Sequence, residues 1–284
     1  MDKKILNLGR KSGKMLLFGG VYSNLQALES LIKLAGDQGI APENCICTGD
    51  IIGYCGQPQE SLDTFKDWGG HSILGNVEIQ LRDDQEDCGC DFTTGSRCDG
   101  FSEIWYAFAK ANLHTSSKQY FSTLPDHIIF EYAGQKVGIV HGSYNHVSQF
   151  IFKSTDWSEK QQNFDSLNVD VIVAGHCGLP FADHYRDQTW LNPGVLGMPA
   201  NNGSNKTWAM IIDDAQGMNY EHFQLKYDHN TTIVEMQKNR LPAEYAVTLQ
   251  TGIWDNMEIL PDVEKELQGS EIILENPVDN LIQN

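Results

Sequence analysis

The chain has 284 residues, enough for one large α/β domain or two small ones, and 40% of them are hydrophobic, which supports a sizeable core. A formal net charge of -18 and a pI near 4.7 exclude a long nucleic-acid groove, since phosphate backbones need neutralising Lys and Arg, and leave room for a small anionic substrate where a metal supplies local positive charge. No apolar run is long enough to cross a bilayer and no signal-like segment follows Lys3-Lys4, so the expected location is the cytoplasm, with no membrane partner and with seven cysteines read as reduced thiols rather than a disulfide scaffold.

Residues 1–13 are polar and read as an N-terminal arm. Residues 14–20 (KMLLFGG) predict a first strand, and a Gly-rich turn to Asn24 leads into a helix over 25–37, where Leu25, Leu28, Leu31, Ile32 and Ala35 recur at helical spacing. The apolar run ending in Cys47-Thr48-Gly49-Asp50 reads as a buried strand that delivers a carboxylate at its C-terminal edge, the edge where open α/β sheets bind ligands. An acid there is either a turn cap or a metal ligand or general base. Residues 57–68 predict a helix, and 72–74 a short strand ending in Gly75-Asn76-Val77-Glu78.

Residues 81–100 are acidic, hold Cys88, Cys90 and Cys98, and read as an insertion loop. Helices are expected over 101–113 and 116–124, then a hairpin over 128–140 that ends in His141-Gly142-Ser143. A helix over 158–167 and a strand over 169–174 lead to Gly175-His176-Cys177-Gly178. Residues 189–191 run into Asn192-Pro193-Gly194, and strands over 207–212 and 220–226 close the core. Helices split near Pro242 fill 230–251, so the main domain is expected over 14–252. Residues 253–284 read as an acidic tail or a peripheral helix, because 255–284 carries eight acids against Lys265.

Strand, turn and helix recur, and the turns carry Asn24, Asp50, Asn76, His141 and His176. A carboxylate, an amide and two imidazoles make a plausible donor set for a hard or borderline metal, although any one of the histidines taken alone is more often structural. A ligating His commonly hands its second nitrogen to a carboxylate or carbonyl, for which Asp183 and His184 are candidates. Cys45 and Cys47 lie within an apolar strand and read as core.

The order of the blocks resembles the calcineurin-like metallophosphoesterases, in particular their compact bacterial phosphodiesterase-like branch, over roughly residues 14–250. The matching blocks are Tyr22-Ser23-Asn24-Leu25-Gln26-Ala27-Leu28, Gly49-Asp50-Ile51-Ile52-Gly53-Tyr54, Gly75-Asn76, Val140-His141-Gly142-Ser143, Gly175-His176, and Asn192-Pro193-Gly194 with Gly197 and Pro199. The resemblance implies a four-layer α/β/β/α sandwich and two divalent metals (Mn, Fe or Zn) bridged by Asp50, with Asn76, His141 and His176 completing the second metal. It also implies in-line attack on a phosphoester by a metal-bound hydroxide.

The first-metal half of the family pattern is degenerate here. Its Asp and His stand as Gly20 and Tyr22, the second His of its fifth block as Gly178, and the usual proton-donating His as Val77, followed by Glu78. Several expectations follow from that pattern. The chemistry is a small-molecule phosphoester hydrolase at an altered or mononuclear centre, with Glu78 or Tyr22 as proton donor and with Asn24 and the backbone near Gly53 and Gly194 orienting substrate. Tyr22, Cys177, Cys88, Cys90 and Cys98 are candidate replacement ligands, although for Tyr22 a ring packed in the cleft is the favoured reading. The alternatives are a non-hydrolytic metal binder or regulatory pseudophosphatase, and a thiolate or iron centre with changed chemistry, because Cys-x-Cys with a third Cys suits Zn or Fe.

Overall fold

In the computed structural model, which describes residues 3–274, one short strand sets the layering. All four residues of β2 (Met15–Phe18) are buried. Side chains alternate across a strand, so β2 must be covered on both faces. Met15 and Leu17 enter a core between two sheets, while Leu16 and Phe18 enter a core shared with helices.

The five-stranded sheet has the order β11 (Asn219–Leu225), β10 (Thr207–Asp213), β2, β3 (Cys45–Cys47), β4 (His71–Ser72). The six-stranded sheet has the order β1 (Ile5–Lys11), β5 (His127–Tyr132), β6 (Gln135–Val140), β7 (Val171–Ala174), β9 (Gln188–Pro193), β8 (Pro180–Tyr185). Met210 and Ile212 on one inner face meet Ile128, Ile139, Val171 and Leu191 on the other. Within each sheet the strands that lead to the site are parallel: β2, β3 and β4 in one, β6, β7 and β9 in the other.

The outer face of the five-stranded sheet is covered by α1 (Leu25–Asp37), α2 (Pro58–Trp68), α3 (Asn76–Arg82), α4 (Arg97–Asn112), α5 (Thr115–Thr123), α7 (His229–Lys238) and α8 (Ala243–Thr251), each of which contributes side chains to one core. The outer face of the six-stranded sheet packs on α6 (Trp157–Leu167) through Phe164 and Leu167. The result is the expected α/β/β/α sandwich. α1 illustrates how the sequence specifies an element. Asn24 Oδ1 caps the Ala27 amide at 3.2 Å, and Leu28 and Leu31 are fully buried, each worth about 1.5–3 kcal/mol of transfer free energy.

Several expectations are corrected. The arm over 1–13 contains β1, whose residues are mostly exposed but pair in parallel with β5; it is anchored by Lys4 N on the Asp126 carboxylate at 2.7 Å. The insertion loop over 81–100 is shorter, because α3 runs through Arg82 and α4 starts at Arg97. β8 has no counterpart among the expected elements; it pairs antiparallel to β9. In the acidic segment, α9 (Asp262–Glu266) follows a stretch in which Trp254, Met257, Ile259 and Leu260 pack on the same core as Phe164. Trp254 to Leu260 are therefore a packed wall and not a surface tail, while α9 is the peripheral helix of the expected alternatives and Val263, Leu267 and Ile273 are exposed; residues 275–284 of the expected tail lie outside the described residues. Among the described residues no helix is long and apolar enough to cross a membrane.

Candidate metal centre

The C-terminal ends of the parallel strands in both sheets deliver the site. Asp50 lies just past β3, Asn76 opens α3 just past β4, His141 directly follows β6, and His176 follows β7. Asp50 and His176 both hold left-handed backbone, φ 58° and 61°. For a non-Gly residue this costs on the order of 1 kcal/mol or more, and it is typical of functional turns. Gly49, at φ 98°, lets these turns close, because a Cβ there would sit 2.7 Å from Gly75 N and 2.8 Å from His141 Nδ1.

His141 Nε2 is the hub. It lies 3.0 Å from Asn76 Oδ1, 3.1 Å from His176 Nδ1 and 3.2 Å from Asp50 Oδ2. Its other nitrogen, Nδ1, stands 2.7 Å from the Thr48 carbonyl, which fixes Nδ1 as the donor and leaves Nε2 as a lone pair aimed into the site. Asn76 Nδ2 donates to the Cys88 carbonyl at 2.8 Å and to Cys90 Sγ at 3.2 Å, and so turns Oδ1 inward. The carboxylate of Asp50 and the amide oxygen of Asn76 can only accept. An Nε2 lone pair facing both is satisfied by a proton on His141 or by a cation shared among the donors, so the residues present fit a divalent metal.

Electrostatics agree. Burial works against a charge on His141, but the Asp50 carboxylate and the Thr48 carbonyl together outweigh it and raise its pKa. Burial, then His141, lowers His176 to about 3, which keeps its imidazole neutral and able to ligate. Phe150 stacks on the His176 ring at 4.4 Å between centroids and shields it from solvent.

Aromatic side chains line the neighbouring half of the cleft. A Cβ on Gly20 would collide with the Tyr22 ring, and one on Gly178 would meet the Trp254 indole at 3.5 Å. Tyr22 packs on Tyr54 at 4.6 Å, and Tyr54 on Tyr245 at 5.0 Å. Burial, then Asp50, raises the Tyr22 pKa well above its ordinary value. Sequence reasoning missed Tyr54, Phe92, Phe150, Tyr245 and Trp254, all of which line this cleft. The one local signal was a tryptophan standing in an otherwise acidic stretch.

Other expected site residues lie elsewhere. Glu78 is fully buried and faces backbone: Oε2 accepts from Asp50 N at 2.8 Å and Gly75 N at 3.0 Å, and Oε1 from Ile52 N at 3.1 Å. It clamps the turns and does not face the cleft as a proton donor. Asn24 caps α1, donates to the Gly197 carbonyl at 3.0 Å and accepts from Thr232 Oγ1 at 2.9 Å, so it is committed to packing rather than to substrate. Gly53 N donates to Ser23 Oγ at 3.1 Å, and Gly194 accommodates β2 through close contact with Gly19. Asp183 pairs with Lys160 and His184 with Thr189, so neither supports a ligand; the Thr48 carbonyl does.

The cysteines do not join the donor cluster. Among the described residues the group of three or more His, Cys, Asp or Glu donors within ligand reach is Asp50, His141 and His176. Cys90 touches Asn76, Cys98 Sγ meets Asn256 Oδ1 at 3.2 Å, and Cys88 Sγ accepts from Cys90 N at 3.3 Å. Cys177 Sγ accepts from Asn192 Nδ2 at 3.2 Å, and burial pushes its thiol up to about 12.

Comparison with known proteins gives a consistent picture. Residues 18–215 match the family model for the calcineurin-like phosphoesterase superfamily domain. An uncharacterised protein of Methanocaldococcus jannaschii is 24% identical over 237 residues, 78% of this chain and 91% of that protein. A metallophosphoesterase from Sphaerobacter thermophilus superposes with a TM-score of 0.66 at 20% identity, over 86% of this chain and 100% of the other. A hypothetical protein from Pyrococcus horikoshii superposes at 0.71 and 16% identity, over 85% and 99%. Those two structures share the fold.

Proposed function

Because the chain belongs to the calcineurin-like phosphoesterase superfamily, whose members use divalent metals, we propose that it hydrolyses a small-molecule phosphoester from a mononuclear centre at Asp50, Asn76, His141 and His176. The observation that carries this reading is the convergence of three ligand-type atoms on His141 Nε2, each within 3.2 Å. A divalent cation bound there would supply Lewis acidity toward a phosphoryl oxygen and an attacking water. The protein's own part is positioning. Thr48 sets the His141 tautomer, the Cys88 carbonyl and Cys90 orient Asn76, and Glu78 holds the Asp50 turn by three backbone hydrogen bonds. Phe150 and Tyr22 keep bulk water from the donors, which strengthens every charge interaction among them.

The test is metal analysis after loading with Mn, Fe(II) or Zn, followed by rates on p-nitrophenyl phosphate and bis(p-nitrophenyl) phosphate. Asp50→Asn is expected to lose bound metal and to lower kcat by about a hundredfold or more. Full metal content and full activity in that variant would overturn the reading. A non-hydrolytic, metal-binding role draws support from the adjoining half-site, where Gly20 and Gly178 offer no side-chain donor; stoichiometric metal without turnover on either ester would favour it. We read residues 14–252 as the catalytic unit, completed by β1 and the Trp254–Leu260 wall, and working in the cytoplasm.

A further inference from the structure

We propose that the ring-lined half of this cleft is a subsite for an uncharged aryl group attached to the phosphate, so that the substrates are aryl phosphoesters and not polyphosphates or choline-type esters. The inference rests on the hydrolase reading above. Gly20 and Gly178 offer no donors, and the Tyr22 and Trp254 rings stand against them, so a second cation has nothing to hold it there. Two runs of packed rings stand in its place: Phe92 on Phe150 and Phe150 on His176, and Tyr22 on Tyr54 and Tyr54 on Tyr245. Such walls favour a further ring in offset or edge contact.

Charge selects among the occupants. The lining contains no Lys or Arg for a second phosphate. Its carboxylates are spoken for: Asp50 belongs to the donor set, and Asp255 accepts from Arg97 Nε at 2.7 Å and Nη2 at 2.9 Å. A cationic group therefore finds no free counter-charge, and a neutral ring remains. Size narrows it further. The cleft holds about 90 Å³, less than the roughly 150 Å³ that encloses a benzene, so no more than one ring is accommodated, and part of that ring stays in solvent.

The test is calorimetric binding to the full-length Mn-loaded protein of three phosphonates that cannot be hydrolysed: methylphosphonate, phenylphosphonate and 2-(trimethylammonio)ethylphosphonate. Phenylphosphonate is expected to bind about tenfold tighter than either of the others. Phe92→Ala, on a partly exposed loop, and Tyr245→Leu are expected to cut that ratio to about threefold or less with methylphosphonate affinity unchanged. Equal affinities for phenyl and methyl, tighter binding of the trimethylammonio compound, or a ratio untouched by both variants would overturn the subsite and leave the hydrolase reading standing. Absence of any Mn-dependent phosphonate binding would overturn the hydrolase reading and this inference together.

Discussion

Glu78 is where structure and chemistry make opposite predictions. Its carboxylate is completely buried and accepts three backbone amides, those of Asp50, Ile52 and Gly75. Burial, then the Asp50 charge, raises its pKa, while the three amides act in the other direction. Glu78→Ala strips the acceptor from all three. At about 1–3 kcal/mol for each buried amide left unmet, and with water entering part of the space, the loss is about 3–6 kcal/mol. Glu78→Gln keeps one oxygen, which serves the Asp50 and Gly75 amides, and turns an NH₂ toward the Ile52 amide, so it loses about 1–3 kcal/mol. Urea unfolding followed by tryptophan fluorescence reads the order wild type, Gln, Ala. Metal affinity is expected to fall in the same order, because the Asp50 turn is released. An Ala variant within about 0.5 kcal/mol of wild type but with kcat down about a hundredfold would refute the clamp and restore a catalytic carboxylate.

Other consequences are open to direct measurement. Excess Mn at about a hundred times its Kd is expected to add about 2.7 kcal/mol to unfolding stability, and His141→Ala to abolish that gain; equal stabilisation of both would put the metal elsewhere. Asn24→Ala removes a helix cap and the contacts to Gly197 and Thr232; it should cost about 2–3 kcal/mol and leave metal content intact, whereas an unchanged stability with a raised KM would make it a substrate contact. Burial lowers His127 from 6.5 to about 4. The unfolded chain therefore takes up the proton first, and the stability linked to His127 is whole above pH 6.5 and lost as pH falls toward 4. The slope from this one group is at most about 1.4 kcal/mol per pH unit. His127→Gln should flatten that arm of the unfolding profile, and an unchanged fall would rule His127 out as its source.

Much of this was legible because the signals are local. The spacing of Leu25, Leu28 and Leu31 specifies α1, and the Gly-flanked polar residues after short apolar runs mark the turns that carry Asp50, Asn76, His141 and His176. β1 was hidden because an edge strand with mostly exposed residues lacks the apolar alternation that announces a strand, and its existence depends on β5, more than a hundred residues later. β8 begins at Pro180 and runs through Asp183 and His184, which reads as a loop until β9 supplies its partner. The sequence also placed Glu78 and Asn24 beside the right blocks, but the direction in which each side chain points is decided by which backbone amides lie near it. The rings of the cleft come from distant segments, and no spacing rule joins Tyr22 to Trp254.

The stretch from Trp254 to Leu260 is pinned at several points. Trp254 Nε1 donates to the Pro199 carbonyl at 2.8 Å, its backbone N donates to Asn201 Oδ1 at 2.9 Å, and Glu258 receives the amides of Arg97 and Cys98 at 3.2 Å each. One side of the cleft is thereby held in register by residues far in sequence from Asp50, Asn76, His141 and His176, so a substitution between Trp254 and Leu260 can alter the shape of the opening without replacing any of the four donors.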